Sequence, residues 1–114
     1  AHSIKRFVSS IHENPFPDLI IGNNDGKSCD KQITELVVNQ LNQSNLDLKI
    51  NTPFKGGYIT RSIGQPEQNI NAIQLEMSKD LYMKNNEIAY DFEKAQIIKK
   101  LLEQTFSTII EKLT

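Results

Sequence analysis

The 114-residue chain has no Trp, a single Cys and almost no excess of either charge, with thirteen Lys and Arg against fourteen Asp and Glu. Each scarcity excludes something. Balanced charge, with no stretch of five or more like charges, disfavours a surface that tracks nucleic-acid phosphates. With five Phe, three Tyr and no Trp, a platform for stacking bases is equally disfavoured. The lone Cys29 cannot form an internal disulfide and fits a reducing compartment. No apolar run approaches the roughly 20 residues of a membrane-crossing helix, and the start carries no signal-peptide pattern. A soluble, cytoplasmic domain that binds neither nucleic acid nor membrane is expected. The chain also opens Ala1-His2-Ser3 without Met, inside sequence that already reads as structured. That predicts a cut chain.

What is present is enough for one domain with a modest core, since chains of this size bury roughly two-thirds of the surface they expose when unfolded. Asp18-Leu19-Ile20-Ile21-Gly22 is a short apolar run between Pro17 and a Gly/Asn cluster, and reads as a buried, parallel strand. Asp30 offers an N-cap to a helix carrying Ile33, Leu36, Val37, Gln40 and Leu41 and ending near Ser44-Asn45. Leu46, Leu48 and Ile50 then alternate with polar residues as a half-buried strand. Strand, helix, strand is a βαβ unit with a right-handed crossover. Beyond the break at Pro53 and Gly56-Gly57 come a strand-like Tyr58-Ile59-Thr60-Arg61 and a second turn at Gly64 to Glu67. The segment Ile70–Met77 follows, with Ile73, Leu75 and Met77 on one face and Ala72, Gln74 and Glu76 on the other. From Asp91 to Leu113 one apolar stripe defines a long helix. Open α/β sheets bind ligands beyond their strands' carboxyl ends. The loops after Gly22 and Met77, together with Gly56-Gly57, are therefore the places to look for chemistry.

Several side chains there have two readings. His2 could ligate a metal through a neutral imidazole nitrogen, or be an ordinary surface histidine. His12 lies in a polar turn and is read as surface. Glu76 sits late in an apolar strand pattern, where a carboxylate is costly to bury unless paired, ligated or used. It reads as a general base at a strand end, or as the solvent-facing residue of an edge strand. Arg61 could hold a substrate carboxylate bidentately, or pair with a nearby acid at the surface. Lys55 reads as solvated. Asn23 to Ser28 fails as a calcium loop, because Ile21 and Gln32 would fill its first and last ligand positions. It also lacks the spacing of a phosphate loop. It is read as a strand-to-helix loop whose short polar groups line a site. Cys29 has no evident base partner and reads poorly as a nucleophile.

Four blocks in order carry a resemblance: the Ala-His-Ser-Ile opening, Pro17 to Cys29, Phe-Lys-Gly-Gly-Tyr-Ile-Thr-Arg from Phe54 to Arg61, and Ala-Ile-Gln-Leu-Glu-Met from Ala72 to Met77 with Tyr82-Met83 behind it. Over about residues 1 to 90 the chain resembles the N-formylglutamate amidohydrolases. The terminal helix adds little. The resemblance implies a partial zinc-carboxypeptidase-like α/β fold, a mixed, mostly parallel sheet flanked by helices. It also implies hydrolysis of N-formyl-L-glutamate to formate and L-glutamate in histidine breakdown. By the same resemblance His2 matches a metal ligand, Glu76 the general base, and Arg61 a carboxylate clamp, with Asn24 and Asp25 lining the site.

The same resemblance implies that residues 1–114 are the carboxyl-terminal part of one amidohydrolase domain, without its amino-terminal half. A catalytic zinc takes about three protein ligands and a water. The chain has no His-x-x-Glu, and no Asp stands before Ala1 to hydrogen-bond His2 from behind. The expected chain is therefore an inactive fragment that self-associates through exposed sheet edges. In the intact enzyme zinc would be the cofactor and an N-acyl amino acid the small-molecule substrate. A hydrolase of another N-acyl amino acid, a metallo-exopeptidase, and a non-catalytic binding or assembly module remain open alternatives.

Overall fold

The computed structural model describes residues 1–114. Its strands are β1 (His2–Ile4), β2 (Leu19–Gly22), β3 (Leu48–Ile50), β4 (Gln74–Ser78), β5 (Met83–Lys84) and β6 (Ala89–Tyr90). The helices are α1 (Lys31–Leu41), α2 (Tyr58–Ile63) and α3 (Phe92–Leu113), with short 3-10 turns at Pro66–Gln68 and Lys79–Leu81. The main sheet has the order β1-β4-β2-β3, and β5 and β6 form a separate hairpin. β1 pairs with β4, and β2 with β3, in parallel; β2 and β4 are antiparallel. The architecture is the expected mixed, mostly parallel α/β sheet flanked by helices.

The antiparallel pairing corrects one expectation. Because β4 runs against β2, the loop after Met77 leaves the sheet at the end opposite to the loop after Gly22. Only the latter shares an end with the start of β4 at Gln74, which sits across from Gly22.

Alternation along the strands gives the sheet two unlike faces. Leu19, Ile21, Leu75 and Met77 point to one side and meet Val37 and Leu41 of α1 and Ile98 of α3 in the buried core. Both helices start on aspartate caps. The Asp30 carboxylate accepts from Gln32 N at 2.8 Å, and the Asp91 carboxylate accepts from Lys94 N at 3.0 Å, each satisfying an orphan amide of the first turn. The other face carries His2, Ile20, Gln74 and Glu76, with Ile20 fully buried. Phe16, also buried, packs on Phe54 with ring centroids 5.4 Å apart, which brings the segment before Gly56 toward this face.

Two further expectations change. Tyr58 to Arg61 is not strand-like but the start of α2. β-branched and aromatic residues favour strands, yet this segment has no strand partner, and a helical turn buries Thr60 while leaving Tyr58, Ile59 and Ile63 exposed. The strand expected over Ile70–Met77 begins only at Gln74, because Ile70 is used in a bridge to Gln65.

Candidate active site

The site is built where β2 ends. Asn24 and Asp25 both have φ of 53°, and Gly26 has φ of +85°, a left-handed run that Asn, Asp and Gly tolerate better than other residues. Asn23 holds it together: its side-chain oxygen accepts from Gly26 N at 2.9 Å and from Asn51 Nδ2 at 2.7 Å. Its amide nitrogen donates to Thr34 Oγ1 at 3.2 Å. The loop then grips the turn at Lys55. Asn24 N donates to the Lys55 carbonyl at 2.7 Å, and Lys55 Nζ pairs with Asp25 Oδ2 at 2.8 Å. Lys55, expected to be solvated, is thus paired, though both partners are more than half exposed. Such a pair contributes little stability; it fixes geometry.

The turn itself can lie this close only because residue 22 is Gly. A Cβ there would stand 2.7 Å from the Lys55 carbonyl carbon and 2.8 Å from Gly56 N. Gly56 has φ of +121°, and Gly57 starts α2. Arg61 lies one turn into α2, exposed, and folds back so that its Nη1 donates to the Gly56 carbonyl at 2.9 Å. No carboxylate pairs with it, so the surface ion pair of its alternative reading is not formed. Most of its donors stay free for a ligand.

Glu76 lies on β4, an interior strand, which removes the edge-strand alternative. It is the middle residue of that strand, not its carboxyl end. Its side chain is 13% exposed, against 68% for His2. His2 and Glu76 are register partners across the parallel β1–β4 pair, and this alignment puts His2 Nδ1 3.2 Å from Glu76 Oε1. The expectation that no hydrogen bond supports His2 is therefore corrected. In the tautomer protonated on Nδ1 the ring donates to Glu76. Gln74, two residues along on the same face, directs Nε2 at the same oxygen at 3.4 Å, while its Oε1 accepts from Gly57 N at 2.7 Å. Oε2 of Glu76 makes no protein hydrogen bond.

His2, Glu76, Gln74, Gly57, Arg61, Lys55, Asn24 and Asp25 thus form one chain of contacts at one end of the sheet. The sequence did not single out Gln74. Its signal was only that it shares the polar face of a strand with Glu76.

One imidazole and one carboxylate do not make a zinc centre, which takes about three protein ligands. No group of three or more His, Cys, Asp and Glu side chains in these 114 residues is placed to hold a metal ion. The donor set present here does not by itself fit zinc.

A second polar cluster, unforeseen in the sequence, sits at the opposite end. Arg6 binds Asp80 bidentately at 2.8 and 2.7 Å, Asp18 at 2.6 Å and the Phe16 carbonyl at 2.9 Å. The guanidinium holds the Asp80 carboxyl below its ordinary range, and Arg6 itself is shifted further up by its carboxylates. Asp18 also accepts from Asp47 N at 2.7 Å, so the cluster ties β1, β2, β3 and β4 together. A cavity of about 620 Å³ opens beside this clasp, with Leu46, Leu81, Ile97 and Leu101 in its lining. Its charged wall is Arg6, Asp80 and Lys94, with Arg6 and Asp80 engaged in the clasp, at the end of the sheet opposite to Gly22. Cys29 is buried, and burial pushes its thiol up, which disfavours the thiolate a nucleophile needs.

The sheet order and the flanking helices are those of a carboxypeptidase-like α/β fold. The model of the N-formylglutamate amidohydrolase family matches residues 1–83, and the chain belongs to that family. It is similar to the N-formylglutamate deformylase of Pseudomonas aeruginosa, with 37% identity over 90% of this chain and 41% of that protein. It is also similar to the N-formylglutamate deformylase of Pseudomonas putida, with 31% identity over 96% of this chain and 42% of that protein. The crystal structure of N-formylglutamate amidohydrolase from Ralstonia eutropha JMP134 superposes with a TM-score of 0.74 at 25% identity, covering 88% of this chain and 36% of that one. The chain thus spans about two-fifths of the length of the curated relatives it matches.

Proposed function

We propose that this chain provides the base and the substrate clamp of a protein that hydrolyses N-formyl-L-glutamate to formate and L-glutamate, as a step of histidine breakdown in the cytoplasm. The observation that carries the reading is the state of Glu76: mostly buried, with Oε1 engaged by His2 and Gln74 and Oε2 free. An interior carboxylate with one unbonded oxygen is suited to accept a proton. In the reaction, a water oxygen bonds to the formyl carbon while Glu76 takes the water proton. Glu76 then delivers that proton to the glutamyl nitrogen as the C–N bond breaks. Arg61, with donors unspent on any acid, holds a carboxylate of the glutamyl group. Asn24 and Asp25 border the same end through their grip on Lys55.

His2 is proposed as one donor of a divalent metal centre, zinc by family resemblance, whose remaining donors lie outside these 114 residues. A bound zinc would supply Lewis acidity toward the carbonyl. On this reading the 114 residues alone are inactive. Both outer strands of the sheet, β1 and β3, keep one unpaired edge. Self-association of this chain through them is expected, and a strict monomer by light scattering at high concentration would contradict it.

The test of function is a panel of N-formyl, N-acetyl and N-succinyl amino acids offered to the full protein. Preferential turnover of N-formyl-L-glutamate is the expected result. Preference for another acyl group would overturn the substrate, and no turnover of any would overturn the activity.

A further inference from the structure

The amide of Gln74 reaches in two directions at once, and its orientation is fixed by chemistry. Gly57 N–H can only donate, so the group facing it at 2.7 Å must be the side-chain carbonyl, Oε1. The NH₂ group is thereby turned the other way, 3.4 Å from Oε1 of Glu76. Gly57 caps α2, which carries Arg61, and Arg61 in turn donates to Gly56 O at 2.9 Å. Gln74 sits two residues from Glu76 on β4, where it pairs with Gly22 of β2, while the β1 pairing begins at Glu76, so its backbone is anchored through β2. Residues 55–57, by contrast, have no strand partner. They are held by the Lys55 carbonyl contact to Asn24, by the exposed Lys55–Asp25 pair and by this one side chain, which alone ties them directly to a strand.

We infer that Gln74 is a positioning residue: one amide group ties the Gly56-Gly57 turn, and with it the Arg61 clamp, in fixed relation to the Glu76 carboxylate. The inference deepens the proposed function and rests on its assignment of Glu76 and Arg61. Substrate binding and proton transfer are then set by a common strut. Gln74 neither touches the reacting atoms nor exchanges a proton. It limits where the clamp can stand when the base is in line, the kind of placement on which effective molarity depends. A side chain with one acceptor end and one donor end is required for this. Glu in its place keeps the acceptor for Gly57 and loses the donor; Met keeps the volume and loses both.

The experiment compares Gln74→Glu and Gln74→Met in the full protein, with two readouts. The first is amide hydrogen exchange at Gly57 without substrate, which reports the strut independently of turnover. The second is the split of kcat and KM on N-formyl-L-glutamate. Gln74→Met is expected to speed exchange at Gly57 by about tenfold or more, raise KM and lower kcat. Gln74→Glu is expected to keep Gly57 protected and KM near the parent value while kcat alone falls. Parent-like exchange in Gln74→Met, or the same behaviour of both variants in exchange and kinetics, would overturn the inference. Should the parent protein not turn over N-formyl-L-glutamate, the proposed function fails, and the exchange contrast still decides whether Gln74 holds the turn.

Discussion

Replacing Gly22 with Ala tests the packing that brings the site together. The added Cβ would stand 2.7 Å from the Lys55 carbonyl carbon, 2.8 Å from Gly56 N and 2.9 Å from the Lys55 oxygen. All three are backbone atoms, so no side chain can rotate out of the way. Moving from 2.7 Å to the 3.4 Å of ordinary contact requires the turn to retreat by about 0.7 Å. That retreat strains the 2.7 Å bond from Asn24 N to the Lys55 carbonyl and the 2.7 Å bond from Gly57 N to Gln74. Overpacking of this kind costs about 1–3 kcal/mol, while the lower unfolded-state entropy of Ala offsets about 0.4–1 kcal/mol. The clash wins, leaving a net loss of about 1–2 kcal/mol. With a urea slope of about 1–3 kcal/mol/M, the unfolding midpoint should fall by about 0.3–2 M. Because the displaced turn carries Arg61, KM should rise as well. An unchanged midpoint with an unchanged KM would refute the claim that the turn is seated against β2. Gly26→Ala is the control. Its Cβ meets nothing within 4 Å, and its φ of +85° alone is disfavoured, so stability should drop by about 1 kcal/mol with KM unaltered.

Arg6→Gln removes the bidentate Asp80 contact and the Asp18 contact at once and should destabilise by about 2 kcal/mol in urea unfolding. The Asp80 carboxyl is held low in the folded state, so its contribution is present above the unfolded value near ~3.9 and is lost as pH falls through the folded value below that. The parent should therefore lose more stability than Arg6→Gln on acidification below about pH 4; parallel pH curves would contradict the clasp. Arg61→Lys keeps the charge but loses the planar fork. It should raise KM for N-formyl-L-glutamate about tenfold with little change in kcat, and an unchanged KM removes the clamp assignment. Metal analysis of the purified 114-residue chain should find no stoichiometric tightly bound zinc, because only His2 and Glu76 stand together; a one-to-one complex would mean that the donor set had been misjudged.

Much of this was legible in residue order. The Asp30 cap, the apolar run Leu19–Gly22 and the stripe on α3 follow from local spacing, and each appears within a few residues of its expected bounds. The polar face of β4 followed from period-two alternation. The direction of β4 relative to β2 was not legible, because alternation reads the same for either direction. That one unknown put the loop after Met77 at the wrong end of the sheet. The Tyr58–Ile63 helix was missed because local propensity pointed to a strand, while the absence of any strand beside it decided otherwise. Arg6, Asp18 and Asp80 are scattered through the chain, and only the closed sheet makes them neighbours. Gln74 was visible as a polar residue in an apolar strand, but its two partners are tertiary. The contact of His2 with Glu76 likewise depends on the β1–β4 register.

The most direct measurement is turnover of N-formyl-L-glutamate by the full protein with Glu76→Gln, with folding checked by circular dichroism. Gln keeps the contact volume beside His2 and Gln74 but cannot take a proton from water. Turnover is expected to fall by about 10²–10⁴-fold with KM little changed. Parent-level turnover in a folded Glu76→Gln protein would contradict the assignment of this carboxylate as the base.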